Sequence, residues 1–105
     1  MLLLDLAHAR AGDKGDISDI SVIAYDPADY PFLRDVITVD RVREHFSDIP
    51  LGDVTRYELP GLGALKFVLG HALDGGVTRT LGLDPHGKSL GQLLLELDLP
   101  SSPHH

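Results

Sequence analysis

The sequence predicts an α+β domain, a two-layer sandwich in which two to three helices pack on one face of a sheet of about five short strands. Short apolar runs rich in β-branched residues alternate with segments whose apolar residues recur every three or four positions, and glycine or proline separates them. The chain has 105 residues, 43% of them hydrophobic and 24% charged, which fits one domain with its own core. We place that domain at residues 1–100 and set aside the polar tail 101–105, whose final histidines are either native or derived from an affinity tag.

Two strands are predicted at the start of the chain. The run Leu2–His8 is apolar except for Asp5, which is typical of a strand covered on both faces. The run Ile20–Tyr25 is β-branched and aromatic and ends at a proline-containing turn, so it predicts a second strand. The stretch HARAGDKGD lies between them, and its glycine-bearing part, Gly12–Asp16, predicts a connecting loop.

A helical region and a third strand are predicted next. The segment PADYPFLRDV accommodates one short helical turn. Thr38 suits the N-cap of a helix whose apolar positions Val39, Val42 and Phe46 are spaced by three and four. The alternation within Val54–Leu59 predicts the third strand.

The second half of the chain predicts a longer helix and a fourth strand. In GLGALKFVLGHALDGG the apolar residues recur at helical spacing, and Gly75 or Gly76 supplies a left-handed cap. Val77–Leu83 alternates and predicts the strand. The leucine-rich end fits a helix or a strand, and we place a short helix at Lys88–Leu93 followed by a final strand to Leu99. If the second face of the sheet is uncovered, we expect it to be a dimer surface or to dock on another domain.

Charge and composition exclude several classes of function. Nine lysines and arginines stand against sixteen acidic residues, so the formal net charge is -7 and a nucleic-acid partner is not expected. The absence of cysteine excludes disulfides, iron–sulfur clusters and thiol catalysis and favours a cytoplasmic location. The opening MLLLDLA has no basic flank and is too short to span a bilayer, so no membrane association is expected.

The loop within HARAGDKGD is the first candidate site. Gly12 and Gly15 allow tight turns, and successive backbone N–H groups beside Lys14 can form a nest for a phosphate or carboxylate. The spacing matches neither the GxxxxGK[ST] loop nor GxGxxG. The alternative is a charged turn in which Asp13 and Asp16 cap the backbone and pair with the neighbouring cations.

Further candidates are single residues. His8 suits a proton shuttle, although a histidine at a strand end is more often structural. The remaining histidines show no HExxH pattern, and the serines have no nucleophile-elbow context, so neither a metal site nor a serine hydrolase is expected. Arg56 and Arg79 lie in predicted strands and could converge on an anion. The alternative pairs Arg56 with Glu58 and Arg79 with Asp5.

Three stretches carry a resemblance to a known family: HARAGDKGD, RYELPGLGALKFVL and the GGVTR of residues 75–79. From Leu4 to Pro100 the chain resembles the small C-terminal ferredoxin-like domain of the acyclic terpene utilisation (AtuA-like) proteins. The resemblance implies a stand-alone version of a domain usually fused behind a much larger one, in proteins associated with breakdown of terpenoid alcohols and branched acids through coenzyme A esters. The matching positions, carried over without roles, are His8, Arg10, Gly12, Lys14, Gly15, Asp16, Tyr57, Pro60, Gly61 and Arg79.

Two hypotheses about function follow. In the first, the chain is an accessory domain without a cofactor that binds a larger AtuA-like or acyl-CoA-processing chain and can also associate with a second copy of itself. Its loop then binds a coenzyme A ester or another small anion through Arg10, Gly12, Lys14, Gly15 and Arg79. In the second, it is a small enzyme that acts on a carboxylate or thioester at a dimer interface, with His8 or Asp16 as the acid/base.

Overall fold

A four-stranded antiparallel sheet organises the computed structural model, which describes residues 1–14, 17–47, 51–71 and 90–100. The strands are β1 (Ala7–Lys14), β2 (Ile17–Ala24), β3 (Leu51–Leu59) and β4 (Ala64–His71). Their order in the sheet is β1-β2-β4-β3, so β2 and β4 are central. Three short helices are described, namely α1 (Tyr30–Val36), α2 (Val39–His45) and α3 (Leu90–Leu94). None of the helices within these ranges is long and apolar enough to cross a membrane.

One face of the sheet is buried beneath the helices. Every second residue of β2 is buried, from Ser18 to Ala24, and β4 buries Leu65, Phe67 and Leu69 on the same face. The helices and the ends of the chain complete the core with side chains including Leu33, Ile37, Val42, Phe46, Leu90 and Leu94. The predicted α+β architecture, with helices on one face, is therefore confirmed.

Two polar side chains cap the helical turns between β2 and β3. Asp26 accepts a hydrogen bond from the Ala28 backbone N–H at 3.0 Å and starts a 3₁₀ turn that leads into α1. The Thr38 hydroxyl accepts from the Arg41 N–H at 3.2 Å and caps α2. Both the helical turn in PADYPFLRDV and the Thr38 cap are thus confirmed.

The longer helix predicted in GLGALKFVLGHALDGG is wrong over its described part. After a 3₁₀ turn at Pro60–Leu62, Gly63 adopts a left-handed φ of 60° and the chain enters β4. Strand β4 is hydrogen-bonded on both sides, to β2 and to β3. A central strand is apolar on much of both faces. Its short apolar run therefore also contains residues at helical spacing, and periodicity alone does not distinguish it from an amphipathic helix.

The first strand is also displaced from its predicted position. Residues Leu3–Asp5 form a 3₁₀ turn, and the turn is hydrogen-bonded to the segment after α3: the Leu3 N–H donates to the Leu97 carbonyl at 2.8 Å. Asp5 is exposed and accepts from the Leu2 N–H at 3.2 Å. Strand β1 instead contains most of HARAGDKGD, including Gly12, so the predicted loop is wrong up to residue 14. A polar sequence is tolerated there because β1 has one face away from the core.

The remaining elements differ from their predicted bounds mainly at their ends. Strand β2 starts three residues before its predicted start, and β3 also starts three residues early, with a register shift between Leu51 and Val54. Opposite this shift, a Cβ on Gly70 would lie 3.3 Å from the Asp53 backbone nitrogen. Helix α3 confirms the predicted short helix, whereas the predicted final strand is reduced to one bridge, between Leu2 and Asp98. The predicted strand at 77–83 lies outside the described residues.

Candidate functional site

The candidate site is the face of the sheet opposite the helices, here called the open face. One row of neighbouring side chains crosses all four strands on this face. Arg10 of β1 is opposite Ser21 of β2, Ser21 is opposite Lys66 of β4, and Lys66 is opposite Tyr57 of β3. Directly opposed residues project from the same face of a sheet. We call Arg10, Ser21, Lys66 and Tyr57 the cationic row.

The two positive charges of the cationic row have no ion-pair partner within the described ranges. Arg10 is exposed and Lys66 is half-buried. The ion pairs among described residues join the Met1 amine to Asp98 (3.3 Å), Arg34 to Asp35 (3.1 Å) and Arg56 to Glu58 (3.1 Å). At Arg34, the hydrogen bond to Asp35 raises the pKa of the guanidinium above its ordinary value. Arg10 and Lys66 therefore differ from Arg34 and Arg56, each of which is paired with a carboxylate.

The row next to it carries the opposite charge. Gly12 of β1 is opposite Asp19 of β2, which is in turn opposite Val68 of β4. A Cβ on Gly12 would lie 3.4 Å from the Asp19 Oδ1 atom, so the carboxylate lies over the glycine. Asp19 is half-buried and belongs to none of the ion pairs between described residues. A carboxylate thus borders the cationic row on the side of Gly12.

On the other side of the cationic row lies an aromatic pair, His8 and Tyr25. Their ring centroids are 5.4 Å apart and the ring planes are inclined by 32°. His8 is two residues before Arg10 on β1, and Tyr25 directly follows β2. Tyr25 is 63% exposed, so much of its ring is accessible to a ligand.

The structure brings three of the predicted site residues onto the open face: His8, Arg10 and Gly12. Lys14 is the last residue of β1. Gly15, Asp16 and Arg79 lie outside the described residues, and with them the predicted anion nest.

Arg56 is on the opposite face from the cationic row. It is directly opposite the buried Phe67, its Nη1 donates to the Arg34 carbonyl at 3.0 Å, and its Nη2 pairs with Glu58 at 3.1 Å. The alternative that paired Arg56 with Glu58 is therefore confirmed, and Arg56 is not available to the open face.

Two members of the cationic row, Ser21 and Lys66, were not among the predicted site residues. Only the register of β4 against β2 places Lys66 beside Ser21, and a helix was predicted where β4 lies. If ALKFVLGH is interpreted as an alternating strand, Lys66 lies on the face of the sheet away from the buried side chains. Among the described residues, no group of three or more His, Cys, Asp or Glu side chains could hold a metal ion.

Comparison with known proteins identifies the family. The family model described as the AtuA ferredoxin-like domain matches residues 1–100, so the chain belongs to that family. This confirms both the resemblance carried by the three stretches and the ferredoxin-like α+β class. No curated protein and no solved structure matches the chain.

Proposed function

We propose that the chain is a non-catalytic accessory domain that docks, through the open face of its sheet, onto a larger protein chain. We propose that this partner is one of the proteins that process acyl-CoA esters during breakdown of terpenoid alcohols and branched acids, the role that the resemblance to AtuA-like proteins implies. The observation that carries the proposal is the cationic row, which lies on the face that the described helices leave uncovered and whose two cations form no ion pair with another described residue.

The composition of the open face favours a protein interface. Tyr57 is 50% exposed and Ile17 is 45% exposed, and Ile23 and Val68 are half-buried beside them. Exposed tyrosine and arginine are enriched at the centres of protein interfaces, where they contribute much of the binding free energy. A purely solvated face of an antiparallel sheet has polar residues at nearly every outward position, and this face does not follow that pattern.

Charge complementarity indicates the chemistry of the partner. The protein has a formal net charge of -7, yet Arg10 and Lys66 flank a single serine on the open face. A partner surface that presents a carboxylate there, or that encloses an anionic ligand over the row, neutralises both cations. We therefore propose that the partner and the open face together bind an anion, such as a coenzyme A ester.

The alternative is a small enzyme with His8 or Asp16 as its acid/base at a dimer interface. Its observable support is that His8 and Arg10 share the open face. No carboxylate in the described part of the chain forms a hydrogen bond or ion pair with His8, whose ring instead packs on Tyr25. Full turnover of a demonstrated substrate by His8→Ala eliminates His8 as the base, whereas loss of turnover with an unchanged fold favours the enzyme.

The docking proposal is tested by co-expression with candidate larger chains of the AtuA-like or acyl-CoA-processing kind, followed by size-exclusion chromatography. A double variant, Tyr57→Ala with Lys66→Glu, alters the centre of the open face. A control, Glu44→Lys, changes an exposed residue of α2 on the other side of the molecule. Thermal unfolding of both variants establishes that they are folded.

We expect the chain to co-elute with a larger partner, and the double variant to lose at least tenfold in affinity, as hot-spot truncation does. Glu44→Lys should co-elute like the original chain. Equal binding by the double variant, or elution of the original chain alone with every candidate, contradicts docking through the open face. Elution of the isolated chain as a dimer that only the double variant disrupts assigns the face to a second copy instead.

A further inference from the structure

We propose that the cationic row and the aromatic pair form one binding site for a phosphate ester of a planar base. In this site the phosphate lies over Ser21 and the base stacks on His8 and Tyr25. A free nucleotide and the nucleotide portion of coenzyme A share this chemistry. The inference rests on the proposed function in taking the open face as the functional surface, and it specifies the class of anion that binds there.

The phosphate position follows from the register of three strands. Arg10 and Lys66 are both directly opposite Ser21, from either side, so their Cα atoms are roughly 10 Å apart. Long side chains starting at that separation can converge on one anion above the serine. The guanidinium offers a planar fork, the ammonium a point charge, and the serine a hydroxyl donor, which together suit the oxygens of a phosphate.

The direction in which the ligand extends follows from the charges on either side. The Asp19 carboxylate, over Gly12, repels an anion displaced toward the far end of β1. On the opposite side the neighbouring row contains His8 and Ile23, which carry no negative charge. A ligand anchored at Ser21 therefore extends toward His8 and Tyr25.

The aromatic pair is placed to receive a flat group. His8 and Arg10 are two residues apart on β1, which spans about 7 Å along a strand, a separation that a ribose can bridge. Since Tyr25 is 63% exposed, a base can cover its ring without displacing core side chains. Stacking of a base on an aromatic side chain strengthens binding by about 5- to 100-fold.

The test is isothermal titration of the full chain at low salt with AMP, coenzyme A, inorganic phosphate and adenosine as separate probes. We expect AMP or coenzyme A to bind more tightly than phosphate and adenosine, since only they combine both groups. Arg10→Ala and Lys66→Ala should each weaken AMP binding at least tenfold. Tyr25→Ala should weaken AMP binding about 5- to 100-fold while leaving phosphate binding unchanged. Arg34→Ala, which removes one positive charge from α1, is the matched control and should bind AMP normally.

The result also separates the two sources of the ligand and the two proposals. Tighter binding of AMP identifies a free nucleotide as the ligand, and tighter binding of coenzyme A identifies the coenzyme. Equal affinity for AMP and phosphate, or normal AMP binding by Arg10→Ala and Lys66→Ala, overturns the inference. If the chain docks its partner but binds neither AMP nor coenzyme A, the ligand inference alone is overturned. If the chain binds a nucleotide but docks none of the candidate partners, the docking proposal alone is overturned.

Discussion

Replacing Phe67 by alanine is expected to destabilise the protein more than any neighbouring truncation in β4. The Phe67 side chain is fully buried at the centre of the sheet, opposite Ile20 of β2 and Arg56 of β3. Truncation of a buried phenylalanine removes its transfer free energy and leaves a cavity, which costs about 3–5 kcal/mol. That loss is a large fraction of the roughly 5–15 kcal/mol that stabilises a typical domain.

The matched comparison is Val68→Ala. Val68 is half-buried and projects from the open face. The free energy of unfolding of Val68→Ala should therefore fall by about 1 kcal/mol, the usual value for the loss of partly buried methyl groups. Urea unfolding followed by circular dichroism measures both free energies of unfolding. We expect the free energy of unfolding to fall at least twice as far in Phe67→Ala as in Val68→Ala. The Tm of Phe67→Ala should fall by about 12 °C or more.

The comparison discriminates between strand and helix. In the helix that the apolar spacing of this segment predicts, Leu65 and Val68 share the buried face and Phe67 lies off it. In β4, Leu65 and Phe67 share the buried face and Val68 does not. A larger loss for Val68→Ala than for Phe67→Ala would therefore refute the strand and with it the register that forms the cationic row.

Two further predictions test local features. Thr38→Ala should lower the free energy of unfolding by about 1 kcal/mol because α2 loses its N-cap. Thr38→Ser keeps a hydroxyl at this position and should retain most of that free energy. Thermal unfolding that shows no difference between the two variants contradicts the capping role. Gly63→Ala should lower the free energy of unfolding by roughly 1–2 kcal/mol because the φ of Gly63 is 60°. Gly61→Ala should be close to neutral by urea unfolding, because its added Cβ would meet no atom of a non-adjacent residue within 4 Å. Equal losses at the two glycines would argue against the left-handed turn before β4.

The sequence predicts the elements whose signals are local. The Thr38 cap depends on one side chain and a backbone N–H three residues away, and the turn at Asp26 depends on the next two residues. The β-branched run in β2 similarly predicts a strand from its own composition. These features need no knowledge of distant partners.

The elements that were missed depend on partners far along the chain. The apolar start of the chain forms a 3₁₀ turn rather than a strand of the sheet, and the carbonyls of Leu97 and Leu95 accept hydrogen bonds from the N–H groups of Leu3 and Leu4. Strand β4 matches helical spacing, and only its pairing with β2 and β3 makes it a strand. The same difficulty applies to the site. Arg10 was predicted from its motif, but Ser21 and Lys66 join it only through strand register.

The central claim is that the open face of the sheet is the functional surface, and photocrosslinking at defined positions tests it most directly. A photoreactive phenylalanine analogue is placed at position 57, in the cationic row, and in a second sample at position 44, exposed on α2. Each sample is irradiated together with the co-expressed larger chain and analysed by mass spectrometry. We predict a crosslink to the larger chain from position 57 and none from position 44. Crosslinks from position 44 alone would contradict the claim, because they would place the interface on the helical side of the protein.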